Sequence, residues 1–183
     1  MSEIHGVLDV ESVGLHGEGF AVALTIIDST KTILESSYFG CPDEEAQGSD
    51  EDRAWIKENV VPYLPEPNCK NPSEVRNLLW CLYTTWKAEL KEQGKTFTLW
   101  ADCGFPVETR FIAACIDHDL RDRGWESPYP LQEIATIRTA MGLDPTLSYD
   151  LPASEKHNPI TETHYIAVKL VEWLEVLRDK MAS

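Results

Sequence analysis

Three strand-like segments at the start of the chain constrain the fold more than any other feature. They cover residues 1–12, 20–28 and 31–39, and short turns join them, which predicts antiparallel pairing of neighbours. The middle segment is apolar on both faces, as is typical of a central strand that is covered on both sides. The chain is therefore expected to open with three antiparallel strands.

Helical periodicity predominates in the rest of the chain. Helices are predicted at residues 50–60, 72–93, 106–118 and 130–142, and a last one runs from Asn158 or Pro159 to about residue 180. A fourth strand is predicted at residues 96–101. This order predicts an α/β fold in which helices flank a mixed β-sheet. A length of 183 residues predicts one domain, residues 1–183.

The chain is strongly acidic, with a formal net charge of −15 at pH 7. Proteins that bind long nucleic acid tightly normally use a basic face, so this charge argues against that function. It does not exclude a nuclease that acts on short strands, because bound cations can meet the phosphates.

Cysteine use and hydropathy predict a cytoplasmic location. The five cysteines include no Cys-x-x-Cys pair, which indicates reduced thiols rather than disulfides or a zinc site. The N-terminus lacks a basic region followed by an apolar one, so no signal peptide is expected. No apolar run approaches the ~20 residues that span a bilayer, and no membrane partner is expected.

Two acids, Asp9 and Glu11, lie on the same face of the first predicted strand. Neighbouring carboxylates repel each other, and burying them without a partner is costly. Mg²⁺ or Mn²⁺, which prefer hard oxygen ligands, would remove both costs. The alternative is that the strand simply ends there and water solvates both carboxylates.

Two further acids follow the fourth strand. Asp102 comes directly after it, and Glu108 lies in the first turn of the next helix. The strand-to-helix junction of an α/β sheet is a favoured place for ligands. Each acid also has a structural explanation, because Asp102 suits a turn and Glu108 is stabilised by the helix dipole.

A histidine and an acid stand at the start of the last helix. Asn158 as N-cap and Pro159 at the first helical position would fix this start, with His157 before it and Glu162 in its early turns. The alternative is an exposed loop histidine and a dipole-stabilised glutamate. With the other acids, however, the pair suits metal-assisted phosphodiester hydrolysis, in which carboxylates hold cations and a histidine takes a proton from water.

In these motifs the sequence resembles the DEDDh group of 3′–5′ exonucleases, which have the ribonuclease H-like fold. The Asp-x-Glu motif of the family corresponds to residues 9–11, and its histidine followed five residues later by an acid corresponds to His157 and Glu162. Its second motif, an acid three residues before an aromatic residue, corresponds to Glu108 and Phe111.

Two features of the sequence depart from the family pattern, and one further segment is similar to a subgroup of the family. Glu108 and Glu162 are glutamates where the family usually has aspartates, and Asp102 competes with Glu108 for the second-motif role. Residues 55–65 resemble a segment of a small bacterial and phage subgroup of exoribonuclease-like proteins, which favours RNA over DNA.

The resemblance implies a ribonuclease H-like mixed sheet and a two-metal mechanism. The ligands of two Mg²⁺ or Mn²⁺ ions would be Asp9, Glu11, Glu162 and either Glu108 or Asp102, and His157 would be the general base. The implied partners are 3′ ends of single-stranded RNA or DNA, or short oligonucleotides, and the products are nucleoside 5′-monophosphates. Related nucleases often pair as homodimers, although nothing in the sequence marks an interface.

Other interpretations stay open at this point. The two glutamates and the acidic charge also suit a nucleic-acid or nucleotide-binding module with weakened catalysis, and another metal-dependent phosphoesterase would use a similar set of residues. The acids could also all be structural. Arg110, Arg138 and Lys156 are candidates for phosphate contacts, with ordinary surface charge as the alternative.

Overall fold

A five-stranded sheet and six α-helices make up the part of the chain that the structure, a computed structural model, describes: residues 3–145, 151–152 and 155–182. The strands are β1 (Glu3–Ser12), β2 (Gly19–Asp28), β3 (Ile33–Gly40), β4 (Thr96–Ala101) and β5 (Gln132–Glu133). The helices are α1 (Asp50–Asn59), α2 (Pro72–Glu92), α3 (Val107–Asp117), α4 (Leu120–Arg123), α5 (Ile134–Met141) and α6 (Pro159–Ala182). Two short 3₁₀ helices, Asp43–Glu45 and Val61–Tyr63, flank α1.

Strand β1 lies in the middle of the sheet, whose order is β3-β2-β1-β4-β5. It pairs antiparallel with β2 and parallel with β4, so that Leu8 lies between Leu24 and Ala101. Strands β2 and β3 are also antiparallel, whereas β4 and β5 are parallel. The predicted antiparallel opening and the predicted mixed sheet flanked by helices are therefore confirmed.

The two faces of the sheet bury separate hydrophobic clusters. On one face, Leu8 of β1 belongs to a cluster that includes Leu79 of α2. On the other face, Val7 belongs to a cluster that includes Leu170 of α6. Because side chains alternate along a strand, the two acids of β1 share the face of Val7 and lie on the side of α6.

The structure differs from the prediction around the last strand. The helix predicted at residues 130–142 begins only at Ile134, because the two residues before it pair with the end of β4 as β5. Helix α4 was not predicted. It is a short turn capped by the side chain of Asp119, and four residues carry too little periodicity to be recognised.

The remaining predicted boundaries agree with the structure to within two residues. Helix α2 begins at Pro72, where the side chain of Asn71 caps it, and α6 begins at Pro159. The first predicted strand includes residues 1 and 2, which lie outside the described residues. Within the described ranges, no helix is long and apolar enough to cross a membrane.

Candidate metal centre and active site

Strand β1 carries its two acids beyond the end of its pairing with β4. The parallel ladder ends where Leu8 lies beside Ala101, and Asp9 is the next residue of β1. The antiparallel ladder with β2 continues past both acids, with a bulge between Glu11 and Ser12. One edge of β1 is therefore free of strand pairing at the two acids, which leaves room for side chains from the helices.

A buried hydrogen bond between α6 and β2 fixes the position of the first turns of α6 on the sheet. The hydroxyl groups of Thr163 and Thr25 lie 2.8 Å apart, and both residues are fully buried. Thr25 is the partner of Val7 in the β1–β2 ladder. The first turns of α6 are thus fixed next to the middle of β1, and Glu162, the neighbour of Thr163, reaches the acids of β1.

Asn158 caps α6, as the sequence predicts. Its side-chain oxygen accepts hydrogen bonds from the backbone N–H groups of Ile160 and Thr161, at 3.2 and 3.3 Å. The preceding residue, His157, has a φ of 61°, in the left-handed region that histidine adopts more readily than most residues. Its backbone N–H donates to the carboxylate of Glu162 at 3.2 Å, so that the loop and the helix meet at the site.

Three carboxylates converge at this point. One oxygen from each of Asp9, Glu11 and Glu162 lies within 4.8 Å of the other two, and the carboxyl groups of Asp9 and Glu162 are close enough to share a hydrogen bond. Burial raises the pKa of all three groups. For Asp9, repulsion from Glu11, Glu162, Glu108 and Asp102 raises the pKa further, so the protein alone disfavours full ionisation of the cluster.

This set of donors fits a divalent cation. Oδ2 of Asp9 is buried and has no hydrogen-bond partner among the described residues, although buried carboxylate oxygens normally have one. Mg²⁺ and Mn²⁺ prefer carboxylate oxygens, and a cation would offset the repulsion that raises the pKa of Asp9. Its ligands would be Asp9, Glu11 and Glu162.

Glu108 lies next to this cluster of three without belonging to it. It is 7% exposed in the first turn of α3, where its own backbone N–H and that of Val10 lower the pKa of its carboxyl group. Burial, with repulsion from Asp102 and Glu11, raises its pKa to about 8. Glu108 is therefore a buried acid beside the site rather than an exposed partner of the helix dipole.

Asp102 has a different partner. Its carboxylate accepts a hydrogen bond from the guanidinium group of Arg138, whose side chain is 2% exposed. Burial raises the pKa of Asp102, and the charge of Arg138 opposes that shift. The ion pair joins the end of β4 to α5. Arg138, a candidate for phosphate contacts in the sequence, is instead engaged inside the protein.

His157 stands between an acid and a tryptophan. Its Nδ1 lies 3.7 Å from Oε1 of Glu11, and its ring meets the ring of Trp55 edge to face, with the centroids 6.2 Å apart. The nearby carboxylate of Glu11 raises the pKa of the imidazole, and partial burial opposes that shift. The side chain is 41% exposed, so water reaches a group that can take up a proton near neutral pH.

The glycine-rich turn after β1 is anchored to the rest of the protein. Glu18 accepts hydrogen bonds from the guanidinium of Arg76 at 2.6 Å and from the backbone N–H of Gln47 at 3.0 Å. Gly14 has a φ of +69°, and a Cβ there would lie 2.4 Å from the carboxyl carbon of Asp52. Glycine at this position therefore lets α1 approach the end of β1.

Sequence reasoning identified the acids and the histidine but missed the contact between His157 and Trp55. These residues are far apart in the sequence, and spacing does not reveal which distant residues meet. The structure distinguishes the two neighbours in α1, where Ile56 is 1% exposed and Trp55 is 53% exposed. Trp55 lines a cavity together with Glu11 and His157, which distinguishes it from a singly exposed surface residue.

Comparison with known proteins gave no match, since no protein-family model and no curated protein matches the chain.

Proposed function

We propose that this protein is a metal-dependent 3′–5′ exonuclease of the DEDDh type with a ribonuclease H-like fold. The observation that carries the proposal is the convergence of Asp9, Glu11 and Glu162 within 4.8 Å, with His157 3.7 Å from Glu11. A five-stranded mixed sheet flanked by helices is compatible with this fold. The proposed substrates are single-stranded RNA and short oligonucleotides, and the products are nucleoside 5′-monophosphates.

The carboxylates have the task of holding divalent cations. Asp9, Glu11 and Glu162 would hold one ion, and the buried Glu108 is the nearby acid available to a second. When bound, Mg²⁺ or Mn²⁺ stabilises the attacking and leaving oxygens of a phosphodiester and makes its bound water more acidic. The raised pKa of Asp9 supports this role, because four neighbouring carboxylates repel its negative charge and a bound cation would offset that repulsion.

His157 has the task of taking a proton from the attacking water. Its Nδ1 faces Glu11, which leaves Nε2 to accept the proton. Glu11 then stabilises the imidazolium that forms, in keeping with the raised pKa of His157. Since the side chain is partly exposed, the proton can pass on to solvent and the neutral base is restored.

The net charge of the protein supports a preference for short nucleic-acid substrates. A net charge of −15 repels a long polyanion, and Arg138 is engaged with Asp102 rather than presented to phosphate. Attraction for the substrate would then come largely from bound cations at the acid cluster, which act only on the nucleotides closest to them.

Digestion of 5′-labelled single-stranded RNA and of its DNA counterpart tests the proposal. Each strand is incubated with Mg²⁺, with Mn²⁺ or with chelator, and the fragments are resolved over time. Wild type should shorten the RNA from its 3′ end only when metal is present. His157→Ala should lower the rate by about 10²–10⁴-fold, which is typical of a lost general base, and Asp9→Asn should abolish cleavage.

Two controls and two contrary outcomes complete the design. His16→Ala and Asp179→Asn, which change exposed residues outside the cluster, should keep wild-type activity. No cleavage by folded wild type with any metal would contradict the proposal and favour a binding module. Activity on mononucleotide esters but not on oligomers would instead favour a different phosphoesterase.

A further inference from the structure

Two neighbouring cavities lie between helix α2 and the segment that leads from α4 to β5. One cavity, of about 450 Å³, is lined by residues that include Lys87, Lys91 and Trp125. The other, of about 210 Å³, is lined by residues that include Lys87 and Tyr129. Because Lys87 lines both cavities, they adjoin each other on the surface, and we call the two together the α2 groove.

The α2 groove is separate from the acid cluster. Its lining includes Thr98 of β4, which pairs with His5 of β1. Asp9 lies further along β1 than His5, by roughly 13 Å at the usual rise per residue of a strand. Helix α2 also packs on the opposite face of the sheet from α6, which supplies Glu162 to the cluster. A small ligand in the groove therefore does not reach the three carboxylates.

Two aromatic side chains of the α2 groove lie almost entirely in solvent. Trp125 is 93% exposed and Tyr129 is 96% exposed, so neither ring is needed to fill the hydrophobic core. Single exposed apolar residues are ordinary on a protein surface. Two aromatic rings that line one groove beside lysines are instead the arrangement with which proteins stack nucleobases and hold phosphates.

Helix α2 holds the loop that carries these rings. The backbone carbonyl of Glu126 accepts hydrogen bonds from the hydroxyl of Tyr83 at 3.2 Å and from the ammonium of Lys87 at 3.0 Å. At the start of the loop, the guanidinium of Arg123 donates to the side-chain oxygen of Asn77 at 2.7 Å. The wall of the groove is therefore in place before a ligand binds, which lowers the entropic cost of binding.

The α2 groove is locally positive on an acidic protein. Among the described residues, its charged lining consists of Lys87, Lys91 and Glu126, and two lysines against one glutamate give a formal charge of +1. The whole chain has a net charge of −15. Lys87 is bound to the carboxylate of Glu126 at 2.8 Å, whereas Lys91 forms no ion pair with any described residue. The ammonium of Lys91 is thus available to an anion.

We propose that the α2 groove binds a nucleoside phosphate, whose base stacks on Trp125 and whose phosphate contacts Lys91. The base covers the exposed indole ring, and the phosphate supplies the negative charge that Lys91 lacks. The ligand is a free nucleotide or one nucleotide of a strand, since both present the same base and phosphate. This second site goes beyond the proposed function and needs neither a metal ion nor cleavage.

Ligand-observed NMR titrations of the folded protein in chelator test the proposal. Chelator keeps divalent ions away from the acid cluster, so metal-dependent binding there does not contribute. Adenosine 5′-monophosphate should bind more tightly than adenosine or ribose 5-phosphate, because only the nucleotide has both the base and the phosphate. Trp125→Ala should weaken nucleotide binding by about tenfold or more, as expected for a lost stacking partner. Lys91→Gln should weaken it by up to about fivefold, the usual effect of an exposed ion pair.

Three variants separate this role from other causes of lost affinity. Trp125→Phe keeps an aromatic ring and should retain most of the affinity for adenosine 5′-monophosphate. Lys70→Gln removes an exposed lysine that does not line the groove, so it is the matched control for Lys91→Gln and should bind as wild type. Asp9→Asn should also bind as wild type, because the acid cluster is remote from the groove.

A short single-stranded RNA, also in chelator, identifies the source of the nucleotide. If the RNA binds more tightly than adenosine 5′-monophosphate and Trp125→Ala weakens both, the groove holds a nucleotide of a strand. If the RNA binds no more tightly than the mononucleotide and Trp125→Ala weakens both, the ligand is a free nucleotide. Either result supports the proposal.

Other results would overturn the proposal without touching the proposed nuclease. Equal affinity of wild type and Trp125→Ala for adenosine 5′-monophosphate would show that no base stacks there. Inorganic phosphate or a hexaglutamate peptide that binds as tightly as the nucleotide would show that the groove recognises charge alone. Conversely, if wild type cleaves no strand with any metal but Trp125→Ala weakens nucleotide binding, the groove is a nucleotide site and the nuclease is rejected.

Discussion

Among the acids of the site, Asp9 is the residue whose ionised carboxylate is most strongly disfavoured by its surroundings. Its Oδ2 is buried without a hydrogen-bond partner in the described part of the chain, and four other carboxylates raise its pKa. Such an arrangement lowers the free energy of unfolding of the protein alone. A residue of this kind is typical of a site at which stability is lost in favour of function.

His5, on the same strand, gives a prediction about pH that does not involve the metal site. It is buried, and the indole N–H of Trp100 donates to its Nδ1 at 3.2 Å, which requires the neutral imidazole at that nitrogen. Burial lowers its pKa; Glu3 raises it and Arg178 lowers it to a smaller extent. The unfolded chain, with an ordinary histidine pKa near 6.5, then binds a proton that the folded chain does not.

The free energy of unfolding should therefore fall as the pH falls from about 7 through the lowered pKa of His5, by at most about 1.4 kcal/mol per pH unit. Urea unfolding of wild type and His5→Gln between neutral and mildly acidic pH measures this contribution as the difference between the two curves. His16→Gln, at an exposed position, is the matched control and should follow wild type. Parallel curves for wild type and His5→Gln would contradict the prediction.

The residues of the site differ in how far the sequence alone could predict them. Asp9, Glu11 and Glu162 were recognisable because charged residues stand where an apolar strand ends and where a helix begins. The pairing of Asp102 with Arg138 was not, because it depends on how β4 and α5 come together in space. The contact of Trp55 with His157 is a tertiary contact of the same kind.

At the scale of elements, helix α6 does more for the site than any single side chain. It supplies Glu162, it begins two residues after His157, and the hydrogen bond between Thr163 and Thr25 fixes it over the sheet. Its predicted start was correct because a cap and a proline are local signals. Strand β5 was missed because its two residues are strand only through pairing with β4, which no local pattern indicates.

The N-cap of α6 should therefore matter for metal binding as well as for stability. Asn158→Ala removes the side chain that accepts from two backbone N–H groups, and it should lower the free energy of unfolding by about 1 kcal/mol. Asn71→Ala removes the corresponding cap of α2, a bond of 3.0 Å, and should cost about the same. Only Asn158→Ala should also weaken Mn²⁺ binding, measured by calorimetry, because only α6 carries Glu162. Equal Mn²⁺ affinity in the two variants would contradict this prediction.

At the scale of the whole molecule, the metal site lies within a strongly acidic chain. Two effects of added cations must therefore be distinguished, since salt screens the repulsion among all exposed charges, whereas a bound divalent ion stabilises the folded state by mass action. A net charge of −15 makes the first effect large for this protein. The second effect should require the buried carboxylates of the cluster.

Thermal unfolding with matched salts distinguishes the two effects. In chelator, Asp9→Asn should unfold at a higher temperature than wild type, because the substitution removes a buried charge that four neighbouring carboxylates oppose. Mn²⁺ or Mg²⁺ should then raise the unfolding temperature of wild type beyond the rise given by NaCl of the same ionic strength, because an ion at 100 times its dissociation constant adds about 2.7 kcal/mol to the free energy of unfolding. Asp9→Asn should lose this surplus and respond to both salts alike. If NaCl stabilises wild type as much as Mn²⁺ does, or if Asp9→Asn keeps the surplus, screening alone explains the response and the three carboxylates are not a metal site.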